Sequence, residues 1–135
     1  MSISMEDVVE RLRSRGIQPS AQRIAIASYV LGTDEHPTVE RVLERVRENF
    51  PYVSRATVYN TLNLFVERGL LRRLVLAPGR VVYDPRVEPH HHFLDEESGQ
   101  VFDVPWEALQ VSGVEGLKGL QVEDYQVVLR GRRAS

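Results

Sequence analysis

The sequence predicts an α+β fold, with helices in the N-terminal part of the chain and short strands in the C-terminal part. Up to about residue 65, apolar residues recur three and four positions apart, which is the period of amphipathic helices. After residue 80 the pattern changes to short segments in which apolar and polar residues alternate, as they do in strands. The 135 residues are therefore predicted to form a helical domain, residues 1–80, and a small α/β domain, residues 81–135.

The composition is that of a globular protein without cysteine. Hydrophobic residues make up 42% of the chain and charged residues 27%, both ordinary values. No segment approaches the roughly 18 apolar residues of a membrane span, and "MSISMEDVVE" lacks the basic and apolar regions of a signal peptide. We expect a cytoplasmic protein with no membrane partner. Without cysteine, disulfides and thiolate metal sites are excluded, so any metal must be bound by nitrogen and oxygen.

The net charge of -2 hides an asymmetry between the two predicted domains. Residues 1–80 carry 12 Arg and 9 Asp or Glu, whereas residues 81–135 carry 5 Lys or Arg and 10 Asp or Glu. A basic N-terminal domain suits a polyanion, and an acidic C-terminal domain suits a cation or a partner protein. The alternative is that helical surfaces are commonly rich in both Arg and Glu, and charge alone does not separate the two.

Four helices and a hairpin are predicted in the first domain. "MEDVVERLRSRG" ends at Gly16, and "QPSAQRIAIASYVL" has Pro19 near its first turn. "HPTVERVLERVREN" has Thr38 as N-cap, and "SRATVYNTLNLFVERG" begins at the N-cap Ser54 and ends near Gly69. "LLRRLVLAPGRVVYD" then predicts two strands around a Pro-Gly turn. This is the element order of a winged helix-turn-helix.

The outward side of the fourth helix carries polar side chains of the kind that read DNA. Arg and Asn pair with guanine and adenine through two hydrogen bonds, Thr contacts the thymine methyl, and Tyr reaches phosphate or stacks. These side chains are Arg55, Thr57, Tyr59, Asn60 and Asn63; the predicted phosphate contacts of the hairpin are Arg72, Arg73 and Arg80. Each residue taken alone also fits a solvated helix face, but the helix order and the hairpin together favour double-stranded DNA as the partner.

The second domain is predicted to contain short strands and to pair with a second copy. "RVVYD", "HHHFLD", "GQVFDV" and "DYQVVLRG" are the strand candidates, and "PWEALQVSGVEGLKGL" is a short helix candidate weakened by its glycines. A domain of about 50 residues is marginal by itself. We therefore expect a homodimer, whose two-fold symmetry suits a palindromic DNA site.

Histidines and acids in the second domain predict a metal site. On a strand His90 and His92 point to one face and His91 to the other. Asp84 precedes the pair, and Asp103 lies on the strand that returns from the "ESG" turn, so either carboxylate can reach the same face.

The remaining histidine, His36, lies in the loop between the second and third helices, which could fold back against the second domain. Three imidazoles and two carboxylates suit a divalent Mn, Fe, Co, Ni or Zn ion. The alternative is that His90 and His92 belong to an exposed polar edge strand. The acidic run Asp95 to Glu97 is predicted to be a solvated turn, not a set of ligands.

Together, "HPTVERV", "SRATVYNTLNLFVERGLL" and "HHHF" followed by "GQVFD" resemble the ferric uptake regulator superfamily, from about Gly16 to Val104 and more loosely to Arg130. The resemblance implies a homodimer with an N-terminal winged-helix DNA-binding domain and a C-terminal α/β dimerisation domain. It also implies a regulatory metal that bridges the two domains and locks a DNA-binding conformation. Such a protein is a transcriptional regulator, not an enzyme.

Individual positions carry over from the superfamily motifs. The implied metal ligands are His36, Asp84, His90, His92 and Asp103, and the implied DNA-binding residues are Arg23, Ser54, Arg55, Thr57, Tyr59 and Asn60. The implied partner is a palindromic, A/T-rich operator.

Aspartate at both acid positions resembles the peroxide-sensing (PerR) branch, in which oxidation of a ligand histidine releases the repressor from DNA. The branch implies Fe(II) or Mn(II), with Zn(II) as a further candidate, and makes His36 or His90 the position to examine. The alternative within the superfamily is an iron, manganese or zinc uptake regulator without peroxide sensing. Two alternatives from other classes are a small metal-dependent hydrolase or oxygenase and a metal-buffering protein.

The sequence departs from the superfamily where many members bind structural zinc through two CxxC pairs. The first pair would fall at Asp95 and Ser98, and the chain has no cysteine, so no structural four-cysteine zinc site is expected. In some members the position of His91 contributes to a second metal site, which Glu107 or Glu123 could complete here. We favour an exposed polar residue for His91.

Overall fold

The computed structural model describes residues 3–134 and divides into two compact units, one up to Val87 and one from Glu88 onward. The first unit contains four helices and a two-stranded sheet, and the second a three-stranded sheet. The helices are α1 (Met5–Ser14), α2 (Ala21–Gly32), α3 (Val39–Val46) and α4 (Arg55–Glu67). The strands are β1 (Arg72–Ala77), β2 (Arg80–Asp84), β3 (His91–Asp95), β4 (Val101–Val104) and β5 (Val128–Gly131). This confirms the predicted α+β class.

Each helix begins at a hydroxyl side chain that caps it. The hydroxyl oxygen of the cap accepts a hydrogen bond from the backbone N–H three residues later, which satisfies one of the free donors of the first turn. The caps are Ser4, Ser20, Thr38 and Ser54, at 3.1, 3.2, 3.2 and 3.0 Å from those nitrogens. The predicted caps Thr38 and Ser54 are confirmed, and Gly16 and Gly69 follow their helices with positive φ angles of 71° and 76°.

One apolar core joins the four helices of the first unit. The buried face of α4 contributes Val58, Leu62 and Phe65, all fully shielded from solvent, at the spacing that the sequence predicted. They pack with apolar residues from every other helix and with Tyr83 of β2. The opposite face of α4 is consequently the one that is left for contacts with other molecules.

The hairpin belongs entirely to the first unit. β1 and β2 pair antiparallel from Arg72 opposite Asp84 to Ala77 opposite Arg80, and the turn between them contains Gly79 with a φ of 75°. The boundary predicted at residue 80 therefore falls inside this hairpin, whereas the first compact unit extends to Val87. The change to alternating residues after residue 80 marks the start of β2, and β2 pairs with β1, which precedes it in the chain.

The second unit is built on a sheet in the order β4-β3-β5. β3 pairs antiparallel with β4 and parallel with β5. Of "DYQVVLRG" only Val128–Gly131 forms a strand, and "PWEALQVSGVEGLKGL" forms two 3-10 turns, Trp106–Ala108 and Val114–Gly116, instead of an α-helix. Gly113 with a φ of 88° precedes the second turn. Within residues 3–134, no helix has the length and apolar character needed to cross a membrane.

Candidate metal centre and nucleic-acid interface

The first unit brings His36 and Asp84 together. The loop before α3 is attached to β2 by a hydrogen bond from the Tyr83 N–H to the Pro37 carbonyl oxygen, 3.0 Å long. This bond sets the loop beside the end of β2, where His36 Nε2 lies 3.1 Å from Asp84 Oδ2. Both side chains are almost fully shielded, with exposed fractions of 6% and 3%. Asp84 Oδ1 accepts the N–H of Arg86 at 2.9 Å, which orients the carboxylate. We call His36 and Asp84 the first half-site.

The second unit brings together His90, His92 and Asp103, which we call the second half-site. His92 on β3 lies directly opposite Asp103 on β4, and His90 lies two residues before His92, on the same face. The Nε2 atoms of His90 and His92 are 3.5 and 3.8 Å from Asp103 Oδ1, and the two rings are 4.5 Å apart. The proximity predicted from the two-residue spacing and the returning strand is therefore present.

The tautomer of His90 follows from its other ring nitrogen. Nδ1 lies 2.7 Å from the Glu88 carbonyl oxygen, and because a carbonyl oxygen only accepts, the hydrogen must be on Nδ1. In the neutral ring Nε2 then carries the lone pair, on the side where Asp103 lies. Metal-binding histidines usually donate their other ring N–H to a carbonyl or carboxylate oxygen in this way.

His91 is buried, which corrects the expectation of an exposed polar residue. Its exposed fraction is 1%, its ring stacks on Trp106 with centroids 4.6 Å apart, and its Nδ1 accepts the N–H of Val127 at 3.0 Å. Trp106 in turn contacts Tyr125, at 4.9 Å between rings. His91 thus joins β3 to the segment that leads into β5. Sequence reasoning missed this because the partners lie far along the chain, in a segment without regular structure.

Asp95 is also buried, whereas Glu96 and Glu97 are exposed in a turn, so the prediction of a solvated turn is wrong at Asp95 only. Its carboxylate accepts the Ser98 hydroxyl at 2.9 Å and the N–H of Glu97 at 2.9 Å. The hydrogen bond from the Ser98 hydroxyl is the largest cause that lowers the pKa of Asp95 below its ordinary value. Desolvation opposes this shift, and the backbone N–H groups of Glu97 and Ser98 add to it. Asp95 and Ser98 occupy the positions expected for the first CxxC pair, so here the turn is closed by hydrogen bonds between two oxygen side chains.

Five of the six predicted DNA-binding residues lie on α4 or at its cap, and they separate into two groups. Arg55, Tyr59 and Asn60 are exposed, as a DNA-reading surface requires. Ser54 and Thr57 bond to each other, with 2.9 Å between their hydroxyl oxygens, and they form the cap of the helix.

Of the other basic residues, Arg23 on α2 is half-buried and its Nη1 donates to the Gln18 carbonyl oxygen at 2.9 Å. On the hairpin, Arg73 is exposed, and Arg72 and Arg80 are half-buried. One contact that sequence reasoning missed involves Arg55, whose guanidinium bonds to Glu40 on α3 at 2.8 and 3.0 Å.

The donor atoms of the two half-sites fit a divalent first-row transition metal. They are imidazole nitrogens and carboxylate oxygens, the ligands that such metals take in proteins without thiolates. The chain has no cysteine, so a thiolate site is excluded by the sequence itself.

Comparison with known proteins places the chain among metal-dependent regulators. It is 30% identical over 105 residues to the peroxide-responsive repressor PerR of Staphylococcus aureus (strain Mu50 / ATCC 700699), a match that covers 78% of this chain and 71% of that protein. A solved zinc-bound manganese uptake regulator is similar with a TM-score of 0.67 and 26% identity, over 98% of this chain and 100% of the other. The Campylobacter jejuni peroxide stress regulator has a TM-score of 0.63 and 20% identity, over 98% of both chains, and shows the fold.

One family accounts for the winged helix, for the two half-sites of nitrogen and oxygen donors, and for the similarity to these proteins. The sequence profile of the ferric uptake regulator family matches residues 14–130, which is most of the chain. The chain therefore belongs to the ferric uptake regulator family of metal-responsive, DNA-binding transcriptional regulators.

Proposed function

We propose that this protein is a homodimeric repressor that binds a palindromic, A/T-rich DNA site when a divalent metal ion is held jointly by the two half-sites. The observation that carries the proposal is the division of the ligands. His36 and Asp84 belong to the unit with the winged helix, and His90, His92 and Asp103 to the other. Each half-site offers too few donors to complete the roughly four ligands of a typical transition-metal site.

The same division supplies a mechanism of regulation. A metal ion, when bound, supplies the bonds that join the two half-sites. The chain then populates the arrangement of its units in which all five side chains serve as ligands, because a ligand shifts an equilibrium toward the state it binds better. His90 is held in the required tautomer by the Glu88 carbonyl, and the Tyr83–Pro37 hydrogen bond holds the loop that carries His36. We expect DNA affinity to rise by the same factor by which DNA raises the metal affinity.

The second copy is expected to bind through the second unit. Among the residues described from 88 to 134, large apolar side chains are exposed in the segment after β4 and on β5; they are Val111, Leu117, Leu120, Val122 and Leu129. A unit of this size buries little apolar surface alone. A dimer would cover part of that surface and present two copies of α4 to the two halves of a palindrome.

Metal-dependent DNA binding is the direct test. The Mn(II)-loaded chain is used to select duplexes from a random pool, and affinity for the selected duplex is measured by fluorescence anisotropy with Mn(II) and with chelator. We expect tight binding with Mn(II) only, and its loss in Asp103→Asn. The matched control is Glu107→Gln, an exposed acid four positions along the same segment. Equal affinity with and without metal would refute regulation, and equal metal dependence in both variants would refute the ligand assignment.

For the signal, we propose peroxide. Aspartate stands at both acid positions, 84 and 103, and the chain is 30% identical to a peroxide-responsive repressor. Under this proposal His36 or His90 gains an oxygen atom when the Fe(II)-loaded protein meets hydrogen peroxide, loses its ability to bind metal, and the protein leaves DNA. Mass spectrometry of peptides that contain each histidine, combined with the anisotropy assay, tests it.

The second candidate is a manganese or iron uptake regulator, which the 26% identity to a zinc-bound manganese uptake regulator favours. A protein that keeps its histidines unmodified and stays on DNA after peroxide treatment would support this alternative. In that case the DNA affinity should follow the concentration of one metal, which titrations with Mn(II), Fe(II) and Zn(II) would identify.

A further inference from the structure

The side chain at the start of the proposed DNA-reading helix is held by a neighbouring helix. Arg55 is the first residue of α4, and both its Nε and its Nη2 donate to the same oxygen, Glu40 Oε1, at 3.0 and 2.8 Å. Glu40 lies on α3, fifteen positions earlier. The two side chains are 59% and 66% exposed, so both can be reached by another molecule.

The geometry of this pair leaves one edge of the guanidinium for recognition. Arginine has five N–H groups in a rigid plane, and Glu40 takes the edge formed by Nε and Nη2. The other edge, formed by Nη1 and the second hydrogen of Nη2, is the one that can donate to O6 and N7 of guanine together. Glu40 therefore orients the plane of Arg55 without using the hydrogen bonds that read a base.

Glu40 differs from the other acids of α3 in what it contacts. Glu44 pairs with Arg41 on its own helix at 3.2 Å, and Glu48, just beyond the helix, pairs with Arg45 at 3.6 Å. Glu40 instead reaches α4. The hydrogen bond from Arg55 lowers the pKa of Glu40, so Glu40 is ionised at neutral pH. A carboxylate next to a DNA surface also repels phosphate, which weakens binding that is independent of sequence.

We propose that Glu40 is a positioning residue that fixes Arg55 for one guanine in each half of the DNA site and so sets the specificity of the regulator. The inference rests on the proposed function, because it requires α4 to read DNA. An arginine without this support is free to rotate about its long side chain and to bind phosphate instead of a base. Removing the carboxylate should therefore lower specificity and leave general DNA affinity equal or stronger.

The experiment compares Glu40→Gln with Glu44→Gln, which removes a carboxylate of similar exposure from the same helix. The Mn(II)-loaded full-length chain selects duplexes from a random pool, and Arg55→Gln identifies the guanine that Arg55 reads. Affinity is then measured for the selected duplex and for one with 7-deazaguanine at that position, which lacks the N7 acceptor. Thermal unfolding of each variant checks that it is folded.

We expect the parent chain and Glu44→Gln to prefer guanine over 7-deazaguanine by roughly 5-fold to 100-fold, the range of a good two-bond contact. Glu40→Gln should lose most of this preference, to about 3-fold or less on the same scale, and should bind unrelated duplexes at least as tightly as Glu44→Gln does. In a double variant with Arg55→Gln, the substitution at Glu40 should have no further effect on base preference.

The outcomes separate the two proposals. Equal base preference in Glu40→Gln and Glu44→Gln would overturn the role of Glu40, and so would a uniform gain in affinity without loss of preference. An unchanged guanine preference in Arg55→Gln would also overturn the role of Glu40, but it would not contradict the proposal that the protein binds DNA. If the parent chain selects no duplex at all, the proposed function itself fails.

Discussion

The interiors of the two units differ in the kind of side chain that is buried. The first has sixteen buried apolar residues in one cluster, drawn from all four helices and the hairpin. In the described part of the second unit, residues 88–134, Leu94 is the one apolar residue that is buried. The other buried side chains there are polar: His90, His91, His92 and Asp95. Apolar burial therefore stabilises the first unit, whereas directional polar contacts contribute more to the second.

This difference has a physical consequence for regulation. Hydrophobic burial depends little on pH or metal, so we expect the first unit and the exposed face of α4 to keep their shape when conditions change. A polar interior responds to protonation, to metal and to the loss of a single hydrogen bond, because each unsatisfied buried group is costly. We expect the stability of the second unit to depend more strongly on metal and pH than the stability of the first.

The largest effect should come from truncating the core of the first unit. Leu62→Ala removes a fully buried side chain from α4, and such substitutions cost about 2–5 kcal/mol. Leu64→Ala on the same helix removes the same atoms from a half-buried position and should cost clearly less. Chemical denaturation followed by circular dichroism measures both. Equal losses would mean that burial in this cluster does not determine the stability of the unit.

Metal should stabilise the second unit by a similar amount. With free Mn(II) at about 100 times the dissociation constant, binding adds about 2.7 kcal/mol to the free energy of unfolding. Hydrogen exchange monitored by mass spectrometry should show the added protection around β3 and β4. Asp103→Asn should abolish the gain and Glu107→Gln should retain it. Protection that increases equally in both variants would place the metal elsewhere.

His91→Phe should weaken the second unit without touching the metal ligands. The phenyl ring can still stack on Trp106, but the Val127 N–H loses its acceptor at His91 Nδ1. An unsatisfied buried donor costs about 1–3 kcal/mol. Faster hydrogen exchange at Val127 and a lower unfolding midpoint are the expected results, with Mn(II) affinity unchanged. A large loss of metal affinity in this variant would instead assign His91 to a metal site.

Acid should weaken the Asp95 turn. The hydrogen bond from the Ser98 hydroxyl is the main cause that lowers the pKa of Asp95 from its ordinary value of 3.8, and Arg133 contributes. Because the folded pKa is below the unfolded one, this stabilisation is present above about pH 4 and is lost as the pH falls through the folded pKa. Asp95→Asn should therefore reduce the dependence of stability on pH below pH 4. Glu97→Gln keeps the backbone donor and serves as control; the same reduction there would contradict the assignment.

The smallest effect on stability should come from Glu40→Gln. Exposed ion pairs contribute about 0.2–1 kcal/mol, so the unfolding free energy should change by no more than this amount, and the change should shrink in high salt. Denaturation at low and high salt measures it. A larger loss would mean that the pair holds α3 to α4, and the effects of this variant on DNA binding would then have a structural cause.

Most of the first unit could be predicted from the residues alone. A hydroxyl before an apolar periodic run is a local signal of a helix start, so the sequence predicts Thr38 and Ser54 as caps, and the structure confirms both. The pairing of His92 with Asp103 across a hairpin followed from the two-residue period of strands and the "ESG" turn. The prediction that Asp95 and His91 are exposed is wrong. A polar side chain can be buried when it has a hydrogen-bond partner, and both side chains have one.

The sequence by itself determined where α3 and α4 begin, which face of α4 is apolar, and that any metal is bound by nitrogen and oxygen. These depend on neighbours a few positions apart, so a pattern along the chain contains them. The tertiary structure alone decided that Glu40 holds Arg55, that the Val127 N–H and Trp106 enclose His91, and that Asp95 and Ser98 close a turn. The first two join residues far apart in sequence and the third depends on a local fold, so packing determines which polar groups become partners.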